Sequence, residues 1–129
     1  MGLAERRRLK ELRESVVPAR QKELAATAGV PLTLTVAWES LAEDTNPIMR
    51  LDEYCFQRVV DAFKDVCRDE LGKEAVAAKV KQVHVINSTN SSWSETCQLQ
   101  EGVLTLDWDW GNVLIVTPEM IAEQLGRQL

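Results

Sequence analysis

Apolar side chains recur at three- and four-residue spacing from Ala4 to about Ala28: Leu9, Leu12 and Val16, then Leu24, Ala25 and Ala28. That period predicts helix. Pro18 falls inside the pattern, lacks an N–H and clashes with the preceding turn, so a break or kink is expected there, with Ser15 capping a second helix near Val17. Gly29 is placed as a C-terminal cap and Pro31 blocks continuation. In PLTLTVAW (31–38) the period drops to two. Leu32, Leu34, Val36 and Trp38 would share one face, and Thr33, Thr35 and Ala37 the other, which predicts a half-buried strand.

ESLAEDTN (39–46) reads as a loop or a single helical turn, and Asn46-Pro47 as a helix start. The apolar stripe of Phe56, Val59, Val60, Phe63, Val66, Cys67 and Leu71 carries that helix to about Leu71, with Gly72 ending it. A short helix, 73–80, follows. VKQVHVIN (80–87) turns Val83 and Val85 to one side and His84 and Ile86 to the other, as a central strand would. ETCQL (95–99) and VLTLDWDW (103–110) flank Gln100-Glu101-Gly102 as a hairpin with glycine available for a positive φ. VLIV (113–116) precedes a last helix, in which Thr117 is the cap, Pro118 the first residue, and Ile121 and Leu125 face inward. The whole of 1–129 reads as a single α+β domain. The expected architecture has two layers: a mostly antiparallel sheet of about four strands with helices on one face.

At 129 residues the chain can bury a substantial core. Nothing approaches the roughly 20 apolar residues of a membrane span, and MGLAERRRLKELRE has no apolar run after its arginines. It does not read as a signal peptide, so a cytoplasmic location is expected. Two N-x-S/T patterns, at Asn87 and Asn90, then read as a polar loop. Cys55 and Cys67 would sit about 18 Å apart along one helix, and Cys97 in a strand. An odd cysteine count without CxxC spacing favours buried free thiols over disulfides or zinc.

Charge divides the chain. Residues 1–22 carry a balance of +4 and residues 23–129 a balance of −9, within a net −5. An acidic body argues against nucleic acid, whose phosphates are bound by cations. The basic segment, residues 1–28, offers a route to a homo-oligomer by lying on the acidic body of a second copy.

LTLDWDWGN (104–112) holds two of the four tryptophans. On a strand, Leu104, Leu106, Trp108 and Trp110 face the helices, while Thr105, Asp107 and Asp109 face water. Aspartate is depleted in strands. Asp107 and Asp109 would form a small acidic shelf beside Thr105, extended by Thr33 and Thr35, and any outward turn of Trp110 would make it an anchor. Carboxylates at i and i+2 on a strand lie about 7 Å apart, so a metal would need further oxygen ligands, and none is assigned. His84, the single histidine, would have to serve any Ser-His-Asp or Cys-His site, but there is no nucleophile elbow and no phosphate-cradling glycine array.

The expected function is a non-enzymatic protein-binding module, of adaptor, inhibitor or immunity type, offering an acidic sheet face to a basic protein partner. No catalytic residue or cofactor is assigned. The alternatives are a small hydrolase or metal-dependent enzyme using His84 or Asp107/Asp109, and a self-assembling structural protein working through the basic N-terminal helix.

Overall fold

A computed structural model of the chain describes residues 2–41, 45–112 and 116–129. Helix α1 is made of Leu3–Glu11, a π-helical turn Leu12–Val16, and Val17–Ala28, running on without a break. Pro18 therefore does not end it, and Ser15 lies inside the π turn rather than capping a new helix. The turn supplies the reason. The Val17 N–H reaches back five residues to the Leu12 carbonyl, and this wider loop just before the proline relieves its clash with the preceding turn. Gly29 ends the helix in the left-handed region at φ 73°, donating to the Ala25 carbonyl at 2.8 Å.

Strand β1 (Thr33–Val36) leads through a 3-10 turn (Trp38–Leu41) to α2, which comprises Thr45–Leu51, a second π turn Asp52–Phe56, and Gln57–Val66. The stripe from Phe56 to Phe63 is buried as its spacing predicts, but the helix stops five residues short of Leu71. Asp69 caps a new helix, α3 (Glu70–Lys79), by accepting from the Gly72 N–H at 2.8 Å. Gly72 is thus inside a helix, where a Cβ would lie 1.8 Å from the Val66 carbonyl oxygen. It is glycine because two helix ends touch there, and Leu71, 79 % exposed, is on the surface.

Strand β2 (Gln82–Asn87) follows, then a single-turn helix α4 (Trp93–Thr96), strands β3 (Cys97–Gln100) and β4 (Val103–Trp108), and helix α5 (Pro118–Gln128), capped by Thr117. Of VLIV, residues 113–115 lie outside the described residues. Glu101 (φ 51°) and Gly102 (φ 83°) both take positive φ, which makes the β3–β4 connection a two-residue hairpin turn of type I′.

The chain is a helix-plus-sheet fold with four described strands in the order β1-β2-β4-β3. The sheet is mixed and mostly parallel, which corrects the antiparallel expectation. β1 runs parallel to β2 and β2 parallel to β4, and only β3–β4 is antiparallel. The physical reason is connectivity: β1 reaches β2 through α2 and α3, and β2 reaches β4 by way of α4 and β3. Crossovers of that length return the chain in the same direction, whereas a tight turn reverses it.

One face of the sheet is core. Leu34, Val36, Val83, Val85, Leu104, Leu106 and Cys97 are buried there in one continuous cluster with Leu12, Leu24, Phe56, Phe63, Ile121 and Leu125 of the helices. The opposite face is mostly polar, with Val103 and Ile86 among its residues, and every residue on it keeps some solvent exposure.

Candidate functional site

The open face is built by register. Thr35 stands opposite His84, His84 opposite Thr105, and Thr105 opposite Gln98, so one row of polar side chains crosses all four strands. The row below runs Thr33, Gln82, Val103, Gln100, and the row above sets Ile86 against Asp107. A shallow depression lined by Gln98, Gln100, Glu101, Val103 and Thr105 lies at the β3–β4 side.

Within the central row the Thr35 hydroxyl is 2.7 Å from His84 Nδ1 and accepts from Gln82 Nε2 at 2.7 Å. With one lone pair engaged by Gln82, the hydroxyl can still donate to Nδ1 or accept from it, so either tautomer of His84 is held in the row. Cys97, opposite Leu106, is turned to the core face, so the sheet separates it from His84 and the two form no Cys-His pair. Burial pushes the Cys97 thiol up to about 12 and raises Cys55 and Cys67 as well; desolvation disfavours the thiolate that a nucleophile needs.

The run LTLDWDWGN divides at Trp108. As far as that residue the alternation holds: Leu104, Leu106 and Trp108 are inside, Thr105 and Asp107 on the open face. Trp108 meets the edge of Trp93 with centroids 5.7 Å apart and planes at 84°. Beyond it the chain leaves the ladder and folds over the end of β2. The Asp109 N–H donates to the Asn90 carbonyl at 3.1 Å, the Trp110 N–H to Asn87 Oδ1 at 3.2 Å, and the Trp110 indole N–H to the Ile86 carbonyl at 3.0 Å. Trp110 is 3 % exposed and belongs to the core, on the inward side its alternation predicts, so the outward turn that would have made it an anchor does not occur. Gly111 follows because a Cβ there would come within 2.8 Å of the Pro47 ring.

The expectation for Asp109 is corrected. Having left the strand, it turns to its own loop, where its carboxylate accepts from Asn112 Nδ2 at 3.4 Å. The two aspartates therefore form no continuous shelf. Of the six expected binding residues, Thr33, Thr35, Thr105 and Asp107 share the open face, and Asp109 and Trp110 do not. Gln82 was missed as a site residue, although its alternation with Val83 was the signal for it. Asp107 is half-buried, and its Oδ1 is shut off from solvent with no hydrogen-bond partner among the described residues. A carboxylate oxygen left so costs about 1–3 kcal/mol or more. Asn87 and Asn90 act as loop clamps: Asn87 Nδ2 donates to the Ser40 carbonyl, and Asn90 Nδ2 to Thr96 Oγ1 and the Asp107 carbonyl.

The basic N-terminal helix is engaged with its own chain. Arg20 pairs with Asp52 at 2.9 Å and Glu23 at 3.0 Å, Arg8 pairs with Glu11, and the Arg13 guanidinium stacks 5.0 Å over Trp38. Among the described residues no group of three or more His, Cys, Asp and Glu side chains is arranged to hold a metal. No helix among them is long and apolar enough to cross a membrane. Compared with protein-family models, curated proteins and solved structures, the chain matches none.

Proposed function

We propose that this chain is a non-enzymatic protein-binding module whose open sheet face takes a basic protein surface, with Asp107 one row from the central Thr35–His84–Thr105 row. The observation that carries the reading is a parallel ladder with a mostly polar, partly exposed side among the described residues. Parallel sheets are ordinarily covered on both faces, yet here Thr35, His84 and Thr105 cross three parallel strands with their side chains toward solvent. The half-buried Asp107 carboxylate gives the face a sign, and exposed Glu101 at the hairpin reinforces it. Complementary charge of this kind speeds encounter more than it adds affinity.

The test is a titration with an oligo-arginine peptide at low salt, followed by backbone amide chemical shifts, with an oligo-glutamate peptide as control. Shifts should concentrate at Thr105, Asp107 and their neighbours on β2 and β3, and fall several-fold in the Asp107→Asn/Glu101→Gln double variant. Shifts spread over the acidic helices, or unchanged in the variant, remove this face as the site.

A further inference from the structure

The depression on the β3–β4 side of the open face takes its lining from the hairpin register. Gln98 stands opposite Thr105 and Gln100 opposite Val103, and Glu101 lies in the turn that joins them. The lining therefore holds one carboxylate, two carboxamides and a hydroxyl, and no cation. Lys81, whose N–H donates to the Gly102 carbonyl at 2.7 Å, sends its own Nζ to the Ala77 carbonyl of α3 at 3.3 Å.

Hydrogen bonding gives these groups a common polarity. Gln98 Nε2 donates to the Ser94 carbonyl at 3.0 Å, which leaves Oε1 as the free end of that amide. Among the described residues the side chains of Gln100, Glu101 and Thr105 have no hydrogen-bond partner. Gln100 and Glu101 are exposed, and Gln98 and Thr105 are half-buried, so water reaches the depression. What it offers a ligand is mainly acceptors.

Glu101 keeps its carboxylate there at a conformational cost. It takes φ 51° as the first central residue of the type I′ turn, where asparagine, aspartate and glycine are preferred because other L side chains crowd the backbone in the left-handed region. Among the described residues no ion pair or hydrogen bond of the Glu101 side chain offsets that cost. Strained residues gather at binding sites, and here the strained residue is the one that carries the charge.

We propose that this depression is the seat for one guanidinium group, an arginine side chain of the basic partner that meets the open face. The seat rests on that assignment of the face. A guanidinium is flat, weakly hydrated and carries its N–H donors in a fixed fork. It can lie in a shallow hollow over Val103, with the Glu101 carboxylate, Gln98 Oε1, Gln100 Oε1 and the Thr105 hydroxyl as acceptors around its rim. An ammonium is compact and strongly hydrated, and gains less from a shallow site. A divalent cation finds a single carboxylate, too little anionic oxygen to replace its water.

Oligo-arginine, oligo-lysine and oligo-citrulline peptides of equal length are titrated into the full chain at low salt and followed by backbone amide shifts. Oligo-arginine should bind about threefold or more tightly than oligo-lysine, with the largest shifts at Gln98, Gln100, Glu101, Val103 and Thr105. Oligo-citrulline, which keeps the flat shape without the charge, should not bind. Glu101→Asn removes the charge but suits the turn, so it should raise the urea midpoint of unfolding and abolish the preference for arginine. Gln98→Thr keeps strand propensity and withdraws one acceptor, and should bring the arginine and lysine affinities together. Asp107→Asn, outside the lining, should weaken both cationic peptides alike. Equal affinity of the wild type for the two cationic peptides overturns the seat, and so does a Glu101→Asn protein that keeps the preference. Shifts centred on His84 and Asp107 also overturn it, while leaving the open face as the site of the basic partner. Absence of any oligo-arginine response on the open face overturns both.

Discussion

Trp110 decides between an anchor and a core residue, and the two roles give different numbers. With 3 % of its surface exposed, its side chain buries about 150–250 Å². At about 25 cal/mol per Å² this is about 4–6 kcal/mol of transfer free energy. Measured Trp→Ala costs of about 3–5 kcal/mol fall in the same range. A domain of this length has a total stability of about 5–15 kcal/mol. Trp110→Ala should therefore remove a large fraction of the margin. Trp110→Phe keeps an aromatic ring in the core but removes the second ring of the indole with the N–H that donates to the Ile86 carbonyl at 3.0 Å, which should cost about 1–3 kcal/mol. Urea denaturation followed by far-ultraviolet circular dichroism measures both, and an unchanged slope shows that the denatured state is comparable. The oligo-arginine response of Trp110→Phe should match the wild type. A Trp110→Ala protein within about 0.5 kcal/mol of the wild type, far below the range for a buried tryptophan, would refute the core assignment, all the more so if it had lost the peptide response.

Two further predictions concern glycines and thiols. Gly72→Ala and Gly126→Ala both place alanine inside a helix, where propensity alone favours it by about 0.5–1 kcal/mol. Gly126 has nothing within 4 Å of an added Cβ, so its variant should be more stable by that amount, whereas at Gly72 the Val66 carbonyl oxygen at 1.8 Å forces backbone movement. Gly72→Ala should be destabilised by about 1–3 kcal/mol, and equal signs in denaturant unfolding would contradict the α2–α3 contact. The raised thiols predict an alkaline loss of stability. In the unfolded chain a cysteine ionises near pH 8.5, while folded Cys97 keeps its proton to about 12. The unfolded state therefore binds fewer protons in that window. Stability is fully present below about pH 8.5 and declines above it by up to about 1.4 kcal/mol per pH unit for each such thiol. Thermal unfolding of Cys97→Ala between pH 8 and 10 should show a shallower decline than the wild type, and parallel slopes would show that Cys97 does not contribute.

Which residues lie inside was legible in the sequence because alternation assigns faces without reference to neighbours. Val83, Val85, Leu104 and Leu106 are buried whichever way their strands run. Strand direction was not legible from the same pattern, since one polar side is the usual mark of antiparallel pairing. The information lay instead in the 45 residues between Val36 and Gln82, with two helices among them. Alternation also continued past its cause. Trp110 is buried as a period of two predicts, but through Asn87 and Ile86 rather than the ladder, and Asp109 left the sheet with it. Gly72 resembled a stop because glycine after an apolar stripe commonly is one, and a contact between two helix ends has no local signature.

The surfaces that remain fit together physically. At the sheet edges Gln21 accepts from the Leu34 N–H, and Gln128 accepts from the Leu99 N–H and donates to the Cys97 carbonyl, whereas a partner on the open face meets side chains. Strand addition is tolerant of sequence because main-chain bonds supply the affinity. Recognition across the face instead depends on which side chains stand there. A face organised around Gln82, Thr35 and His84, with Asp107 one row away, should therefore discriminate among partners by donor placement. Changes at Asp107 should then alter binding without altering the fold.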